Sequence, residues 1–125
     1  ADQRFSNSPY QLFVGAISLL DQLQSKNIKI GIMTNGRPSR RKVLEQLGIL
    51  HYFSPELIFI SNEIGFAKPN IGFYDFVNLI ITINRDVVLV DDESQNCLSF
   101  QEFGGTAIKF SRSDEDMIGK ILLKF

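Results

Sequence analysis

The chain has 125 residues, of which 44% are hydrophobic, and a formal net charge of −1. This length suits one domain with a real core, and the near-neutral charge gives no electrostatic basis for binding nucleic acid or a membrane surface. The single cysteine, Cys97, excludes an internal disulfide framework, and neither a membrane-spanning apolar run nor a secretory pattern stands out. We therefore expect a cytoplasmic protein with one domain.

Helical and strand patterns alternate along the whole chain. The spacing of apolar residues predicts helices over residues 9–24, 39–47, 72–81, 95–103 and 114–123, and strands over residues 28–33, 57–60, 87–90 and 106–110. Ser113 or Asp114 is expected to cap the last helix. Because the strands are short, apolar and joined by helix-length connections, the pattern predicts an α/β fold with a parallel sheet covered on both faces.

Two adjacent carboxylates, Asp91 and Asp92, directly follow the apolar segment Val87–Val90. A short, fully apolar, β-branched run is typical of a strand buried on both faces, and open α/β sheets bind ligands at the carboxyl ends of their strands. The two carboxylates repel each other, and a hard cation such as Mg²⁺ relieves that repulsion. The pair therefore predicts a cation site, with a solvated acidic turn as the alternative.

Two further polar segments lie where a strand stops or a helix is about to begin. Thr34, Asn35 and Gly36 close a predicted strand, and a hydroxyl with free backbone N–H groups suits an anion such as phosphate. An ordinary Asn-Gly turn is the alternative. Lys68 lies in a glycine-containing loop before a helix, where its charge points either inward or to solvent.

The order of these segments resembles that of the haloacid dehalogenase (HAD) superfamily of phosphohydrolases. In that family a strand-terminal Thr or Ser is followed by a Lys, often with a Pro after it, and then by a strand ending in acidic residues. Thr34, the Lys68–Pro69 pair and the Asp91–Asp92 pair match these three motifs in order. A receiver domain of the two-component kind also uses an Asp pair, a Thr and a Lys, but its acidic pair comes first. The order here excludes that interpretation.

Other segments resemble the phosphoglycolate-phosphatase-like branch of the family, namely Gly15, Leu47–Ile49, Ser61–Glu63 and Phe103–Gly105. The resemblance implies a three-layer α/β/α sandwich with a HAD Rossmann-like parallel sheet and Mg²⁺-dependent hydrolysis of a small phosphate ester. It implies that Thr34–Gly36 and Lys68 bind the phosphate, that Lys68 and Thr34 serve catalysis, and that Asp91 and Asp92 hold the metal.

The first motif of the family is not found. It is an Asp-x-Asp at the end of the first strand, and it supplies the nucleophile and the general acid. The only Asp residues before Thr34 are Asp2 and Asp21, and neither follows an apolar strand. The segment Asp114–Asp116 has the right spacing, but it is typical of the acidic first turn of a helix, with a circular permutation as the alternative. We therefore expect residues 1–125 to form a partial core domain without the first strand and the cap.

This absence changes the expected function. Without the nucleophile the aspartyl-phosphate route is closed. We expect the carboxyl-terminal core part of a HAD-like phosphate ester hydrolase, inactive as this chain alone; the alternative is a non-catalytic binding or interaction module derived from the family. Asn96 and Cys97 stand where the family commonly has another Asp. We therefore expect Mg²⁺ binding to be weak or absent, and Asn96 to orient a neighbour by hydrogen bonding.

The missing strand also predicts an unusual sheet. In the resembled fold it lies between the strand that ends at Thr34 and the strand that ends at Asp91. Unpaired apolar strand edges invite pairing with other chains. We expect the two strands to pair directly, or a missing amino-terminal segment or a second copy to fill the gap, with a self-associated or swapped dimer as the form of the isolated chain.

Overall fold

The computed structural model describes residues 15–37 and 39–125. The helices are α1 (Ala16–Ser25), α2 (Arg40–Gln46), α3 (Ser61–Ile64), α4 (Ile71–Ile80), α5 (Ser94–Phe103) and α6 (Met117–Leu122). The strands are β1 (Ile32–Thr34), β2 (Ile58–Ile60), β3 (Val88–Asp91) and β4 (Thr106–Lys109), and two short 3-10 helices, Leu50–Tyr52 and Pro55–Leu57, lie between α2 and β2. The expected start of the first helix, residues 9–14, lies outside the described residues.

The strands form two parallel pairs. In the first pair Thr34 of β1 lies opposite Ile60 of β2, and in the second Asp91 of β3 lies opposite Lys109 of β4. Within the described residues no backbone ladder joins one pair to the other. The predicted parallel α/β arrangement is confirmed. Direct pairing of β1 with β3, one of the outcomes expected from the sequence, is not found.

Apolar clusters cover both faces of the strands. On one face the buried members, which join β2 and β3 to α4 and α5, are Leu57, Phe59, Phe73, Tyr74, Val77, Ile83, Leu89 and Phe100. On the other face α1 packs against α6, and the buried members are Leu19, Leu23, Met117 and Ile121. Strand β4 contributes Ala107 to the first cluster and Ile108 to the second, because successive side chains of a strand point to opposite faces. The three-layer arrangement is therefore confirmed.

Strand β3 is less buried than its sequence predicts. Leu89 is 7% exposed, but Val90 is 39% exposed. Burial on both faces was the expectation for this apolar run, and for Val90 it is wrong. The physical reason is that, among the described residues, β3 has a hydrogen-bonded neighbour along one edge only, so part of its surface faces an open cleft.

Strand β1 begins later than the sequence predicts. Its first residue is Ile32 rather than residue 28. Just before it, Gly31 lies so close to the backbone of Leu57 that a Cβ atom on residue 31 would lie 2.7 Å from the Leu57 carbonyl oxygen. Glycine is therefore the residue that lets β1 enter beside the Pro55–Leu57 turn.

The last helix begins later than expected. Its first residue is Met117, and the preceding Asp116 stands at the cap position without a side-chain cap. Asp114 instead accepts a hydrogen bond from the Asp116 N–H at 2.9 Å and pairs with Lys120. Asp114 therefore forms a turn before the helix rather than its cap. None of the helices in the described part of the chain is long and apolar enough to cross a membrane.

Candidate functional site

A lysine brings the carboxyl ends of β1 and β3 together. Lys68 lies in the loop between α3 and α4, and its Nζ forms an ion pair with Oδ2 of Asp91 at the end of β3. The Lys68 backbone N–H donates to Oδ1 of Asn35, which follows β1, at 2.8 Å. Three of the residues singled out from the sequence are therefore in direct contact, although 33 positions separate Asn35 from Lys68.

The Asn35 side chain holds the lysine loop by two hydrogen bonds. Besides accepting from the Lys68 N–H, it donates from Nδ2 to the Lys68 carbonyl oxygen at 3.0 Å. A carboxamide carries both a donor and an acceptor, so it pairs with both polar groups of one backbone residue. The Lys68–Pro69 peptide bond is cis. Asn35 is thus a positioning residue for the lysine in this structure.

A second pair of hydrogen bonds fixes Gly36. Its backbone N–H donates to Oγ of Ser61 at 2.9 Å, and the same hydroxyl donates to the Gly36 carbonyl oxygen at 3.3 Å. Ser61 directly follows β2, so it lies at the same edge of the sheet. The Gly36 N–H predicted as a phosphate donor is bound to this hydroxyl, and a phosphate would have to displace Ser61 to reach it.

Asp91 is the most enclosed charged group of the site. Its side chain is 6% exposed and that of Lys68 is 8% exposed. Oδ1 of Asp91 accepts from the Glu93 N–H at 2.9 Å, and Oδ2 accepts from Nδ2 of Asn96 at 3.2 Å as well as from Lys68. The prediction that Asn96 orients a neighbour by hydrogen bonding is confirmed.

These contacts decide the charge state of Asp91. Burial by itself would raise the pKa of its carboxyl group, but the hydrogen bond from Lys68, the Glu93 N–H and the positive charge of Lys68 together hold the pKa below its ordinary value. Asp91 is therefore ionised at neutral pH, with its carboxylate next to Nζ of Lys68.

The other two predicted residues lie toward solvent. Asp92 is exposed, and Thr34 is half-buried at the end of β1. Oγ1 of Thr34 lies 3.5 Å from the Asn35 carbonyl oxygen, which is too long for a strong hydrogen bond. The Thr34 hydroxyl and the Asp92 carboxylate are thus the groups of this edge with the most freedom to meet a ligand.

The described residues offer few ligands for a metal ion. Residues 15–37 and 39–125 hold no group of three or more His, Cys, Asp or Glu side chains that could bind one. Both oxygens of Asp91 already accept hydrogen bonds, which leaves Asp92 as the freer carboxylate. Mg²⁺ requires several oxygens in near-octahedral positions, so these two residues by themselves do not make a complete site.

The remaining acidic candidates lie away from this edge. Asp21 is on α1, where its Oδ1 accepts a hydrogen bond from the Tyr52 hydroxyl at 2.6 Å. Asp114 and Asp116 precede α6, and Asp114 pairs with Lys120. Asp2 lies outside the described residues. None of the described three joins the Asn35, Lys68 and Asp91 contacts.

The family model described as haloacid dehalogenase-like hydrolase matches residues 2–104. This range is most of the chain and contains all the residues of the candidate site. The chain belongs to the haloacid dehalogenase-like hydrolases. The family resemblance predicted from the three motifs is confirmed at this level, and so is the HAD Rossmann-like fold.

Individual relatives agree with the family. The chain is 46% identical over 63 residues to pyrimidine 5'-nucleotidase YjjG of Escherichia coli (strain K12), a match covering 50% of this chain and 27% of that protein. It is similar to the structure of a HAD-superfamily hydrolase from Ehrlichia chaffeensis, with a TM-score of 0.77, 26% identity and coverage of 94% of this chain and 60% of that one. It is also similar to magnesium-bound YfnB, a putative HAD-hydrolase from Bacillus subtilis, with a TM-score of 0.71, 26% identity and coverage of 80% and 44%.

The match to the curated nucleotidase thus spans about a quarter of the relative's length.

Two roles at this edge of the sheet were not assigned from the sequence, namely the hydrogen bonds between Ser61 and Gly36 and those between Asn35 and Lys68. Ser61 carried a usable signal, because a hydroxyl directly after an apolar strand lies at the ligand edge of a parallel sheet. The hydrogen bonds of the Asn35 side chain to Lys68 have no such signal in the sequence, because their partner is the backbone of a distant loop.

Proposed function

We propose that this chain supplies the carboxyl-terminal core part of a Mg²⁺-dependent hydrolase of small phosphate esters, in the phosphoglycolate-phosphatase-like branch of the family. Residues 1–125 form a partial core domain in this proposal, and they are inactive without a carboxylate nucleophile from elsewhere. The observation that carries the proposal is the buried contact of Lys68 with Asp91 and Asn35 at one sheet edge. The Escherichia coli relative is a pyrimidine 5'-nucleotidase, and its activity supports the substrate class.

The geometry suggests a role for each group. The Thr34 hydroxyl and the Asn35 N–H bind the phosphate at the end of β1, and Gly36 keeps the turn tight enough for them to project together. A Cβ atom on Gly36 would lie 2.7 Å from Cβ of Arg40, so a larger residue would push this turn away from α2. Lys68 stabilises the negative charge of the phosphate, and Asn35 positions it.

Asp91 has two functions in this proposal. It holds Lys68 in its inward position, and with Asp92 it supplies carboxylate oxygens toward Mg²⁺. The metal, when bound, would neutralise phosphate charge and thereby favour nucleophilic attack. Because the described residues do not complete its coordination, further oxygens would come from water and from the segment that carries the nucleophile.

The experiment measures hydrolysis of p-nitrophenyl phosphate with Mg²⁺ by the purified chain and by Lys68→Ala. The expected result is no turnover by either protein above the uncatalysed rate, because the nucleophile is absent. Inorganic phosphate is then titrated into both proteins by NMR, and the Thr34 and Asn35 amide signals should shift in the wild type and much less in Lys68→Ala. Arg112→Ala, a change in the exposed turn before α6, is the matched control for loss of a positive charge.

Two outcomes would contradict the proposal. Robust Mg²⁺-dependent turnover by the pure chain would mean that it contains its own nucleophile. Equal shifts of the Thr34 and Asn35 signals in the wild type and in Lys68→Ala, or no shifts in either, would remove the phosphate site and favour the alternative of a non-catalytic interaction module.

A further inference from the structure

The outward side of α4 carries large apolar side chains. Their exposed fractions lie between 40% and 82%, and the residues are Phe66, Ile71, Phe76, Leu79 and Ile80. Phe66 lies in the loop before the helix, and the other four belong to α4. We call these five residues the α4 face. None of them lines the open cleft beside β3, so the α4 face is a separate surface.

Helix α4 is apolar on both of its sides. Its inward side contributes three buried residues to the core cluster shared with α5, namely Phe73, Tyr74 and Val77. Asp75 is the only charged residue of the helix, and Asn78 accepts a hydrogen bond from the Ile83 N–H at 2.8 Å. A surface helix normally carries polar residues on its outward side, whereas a helix that is apolar all round is covered on all sides. The composition of α4 therefore indicates a second partner on its outward side.

Two contacts hold the α4 face in place. A Cβ atom on Gly72 would lie 2.6 Å from Cδ1 of Phe66, so the glycine lets the Phe66 ring lie directly on the start of the helix. The ring of Phe76 meets the ring of the buried Phe59 edge-on, with the centroids 6.3 Å apart. Side chains that are already held lose less conformational freedom when a partner binds. The face is therefore suited to packing against a second surface.

The area of the α4 face is that of a standard dimer interface. Its five side chains together expose the equivalent of about three whole side chains, or roughly 500 Å² of apolar surface. A standard interface buries about 800 Å² on each partner, and about 65% of a homodimer interface is apolar, which again gives roughly 500 Å². The face contains no charged residue, so it is complementary to itself, as a two-fold symmetric interface requires.

The ends of the described chain lie on the other side of the sheet. Helices α1 and α6 pack together in the cluster opposite to that of α4, and the described chain enters α1 and leaves α6 in that layer. A segment attached at either end would therefore start in the wrong layer and would have to pass around the sheet to reach the α4 face. A second copy of the chain meets the face directly, because each copy presents the same exposed surface.

We propose that the α4 face binds the same face of a second copy of the chain and forms a two-fold symmetric dimer. Leu79 has the largest exposed fraction of the five residues, 82%, so it loses the most contact with water when the dimer forms. Asn35, Lys68 and Asp91 are not part of this face, so the dimer does not depend on the proposed function.

The test is sedimentation equilibrium of the purified chain and of two variants with the same added charge. Leu79→Arg places the charge on the α4 face, and Leu123→Arg places it after α6, where the native leucine is 86% exposed. Neither arginine has to be buried in the single chain, and circular dichroism checks that both variants keep the fold. Val90→Lys is measured beside them, because Val90 lines the open cleft and this variant reports association through the strand edges.

We expect a wild-type dimer with a Kd of about 10 µM or tighter, and the same dimer for Leu123→Arg and Val90→Lys. Leu79→Arg should weaken association at least about tenfold, because each dimer would bury two like charges in an apolar contact. A wild type that stays monomeric at about 100 µM would overturn the proposal and leave the face to a different partner. Equal association of Leu79→Arg and the wild type, or a dimer lost in Val90→Lys but kept in Leu79→Arg, would overturn it as well.

Discussion

Replacing Lys68 by Met would leave a buried carboxylate without its cation. The lysine and aspartate side chains are 8% and 6% exposed, so water cannot compensate Asp91 once the positive charge is lost. Breaking a buried ion pair by removing one partner costs about 3–5 kcal/mol of unfolding free energy. Met keeps most of the volume of the lysine stem, so we attribute the expected loss mainly to charge. The control Lys120→Met removes a lysine that is 58% exposed and paired with Asp114, and its unfolding midpoint should not change measurably.

The effect of Lys68→Met depends on pH through the protonation of Asp91. In the wild type the pKa of Asp91 lies below its ordinary value of 3.8, so the stability from its ionised form is present above that pH and is lost as the pH falls through the lowered pKa. In Lys68→Met, burial without the cation should raise the pKa of Asp91 above 3.8, so the variant regains stability as the pH falls through the raised pKa. The difference between the two proteins should therefore shrink from about pH 7 to about pH 3.

The assay is urea unfolding followed by circular dichroism at a series of pH values. If Lys68→Met does not fold at neutral pH, the variant Lys68→Met/Asp91→Asn is measured beside Asp91→Asn, because a neutral Asn still accepts a hydrogen bond from the Glu93 N–H. The double variant should then fold at neutral pH, and where Lys68→Met does fold, the double variant should be at least about 2 kcal/mol more stable than it. A loss below about 1 kcal/mol in Lys68→Met, or a difference from the wild type that does not change with pH, would refute the reasoning.

Two other predictions concern the metal and the thiol. Calorimetry with Mg²⁺ should give a Kd of about 1 mM or weaker, reduced further by Asp92→Asn, because the described residues supply too few free oxygens; saturation at low micromolar Mg²⁺ would reveal a missing ligand. Burial, with the nearby charge of Asp91, raises the pKa of the Cys97 thiol, and its Sγ lies 3.4 Å from the Asp91 carbonyl oxygen. The native thiol should therefore react with Ellman's reagent at least about tenfold more slowly than the urea-unfolded thiol, and equal rates would mean that Cys97 is open to solvent.

The sequence by itself determined the fold class and the location of the candidate site. The alternation of apolar strands with helical patterns predicted the parallel α/β arrangement, because strand and helix periods are local properties of the chain. The polar residues Thr34, Lys68 and Asp91 also stood out, since each follows a strand or precedes a helix at the edge where parallel sheets bind ligands. Asn96 stands where the resembled family commonly has another Asp, and from that resemblance it was expected to orient a neighbour by hydrogen bonding.

Only the tertiary structure decided how these residues are joined and where the sheet is open. The hydrogen bonds between Asn35 and Lys68 join residues 33 positions apart, and the hydrogen bond between Gly36 and Ser61 joins residues 25 positions apart. Periodicity carries no information on such contacts, because they depend on where separate elements pack. For the same reason the sequence predicted Val90 as buried, whereas it is exposed. A side chain is buried only where atoms of other elements surround it. In the described part of the chain Val90 lines an open cleft beside β3 and lacks such neighbours on that side.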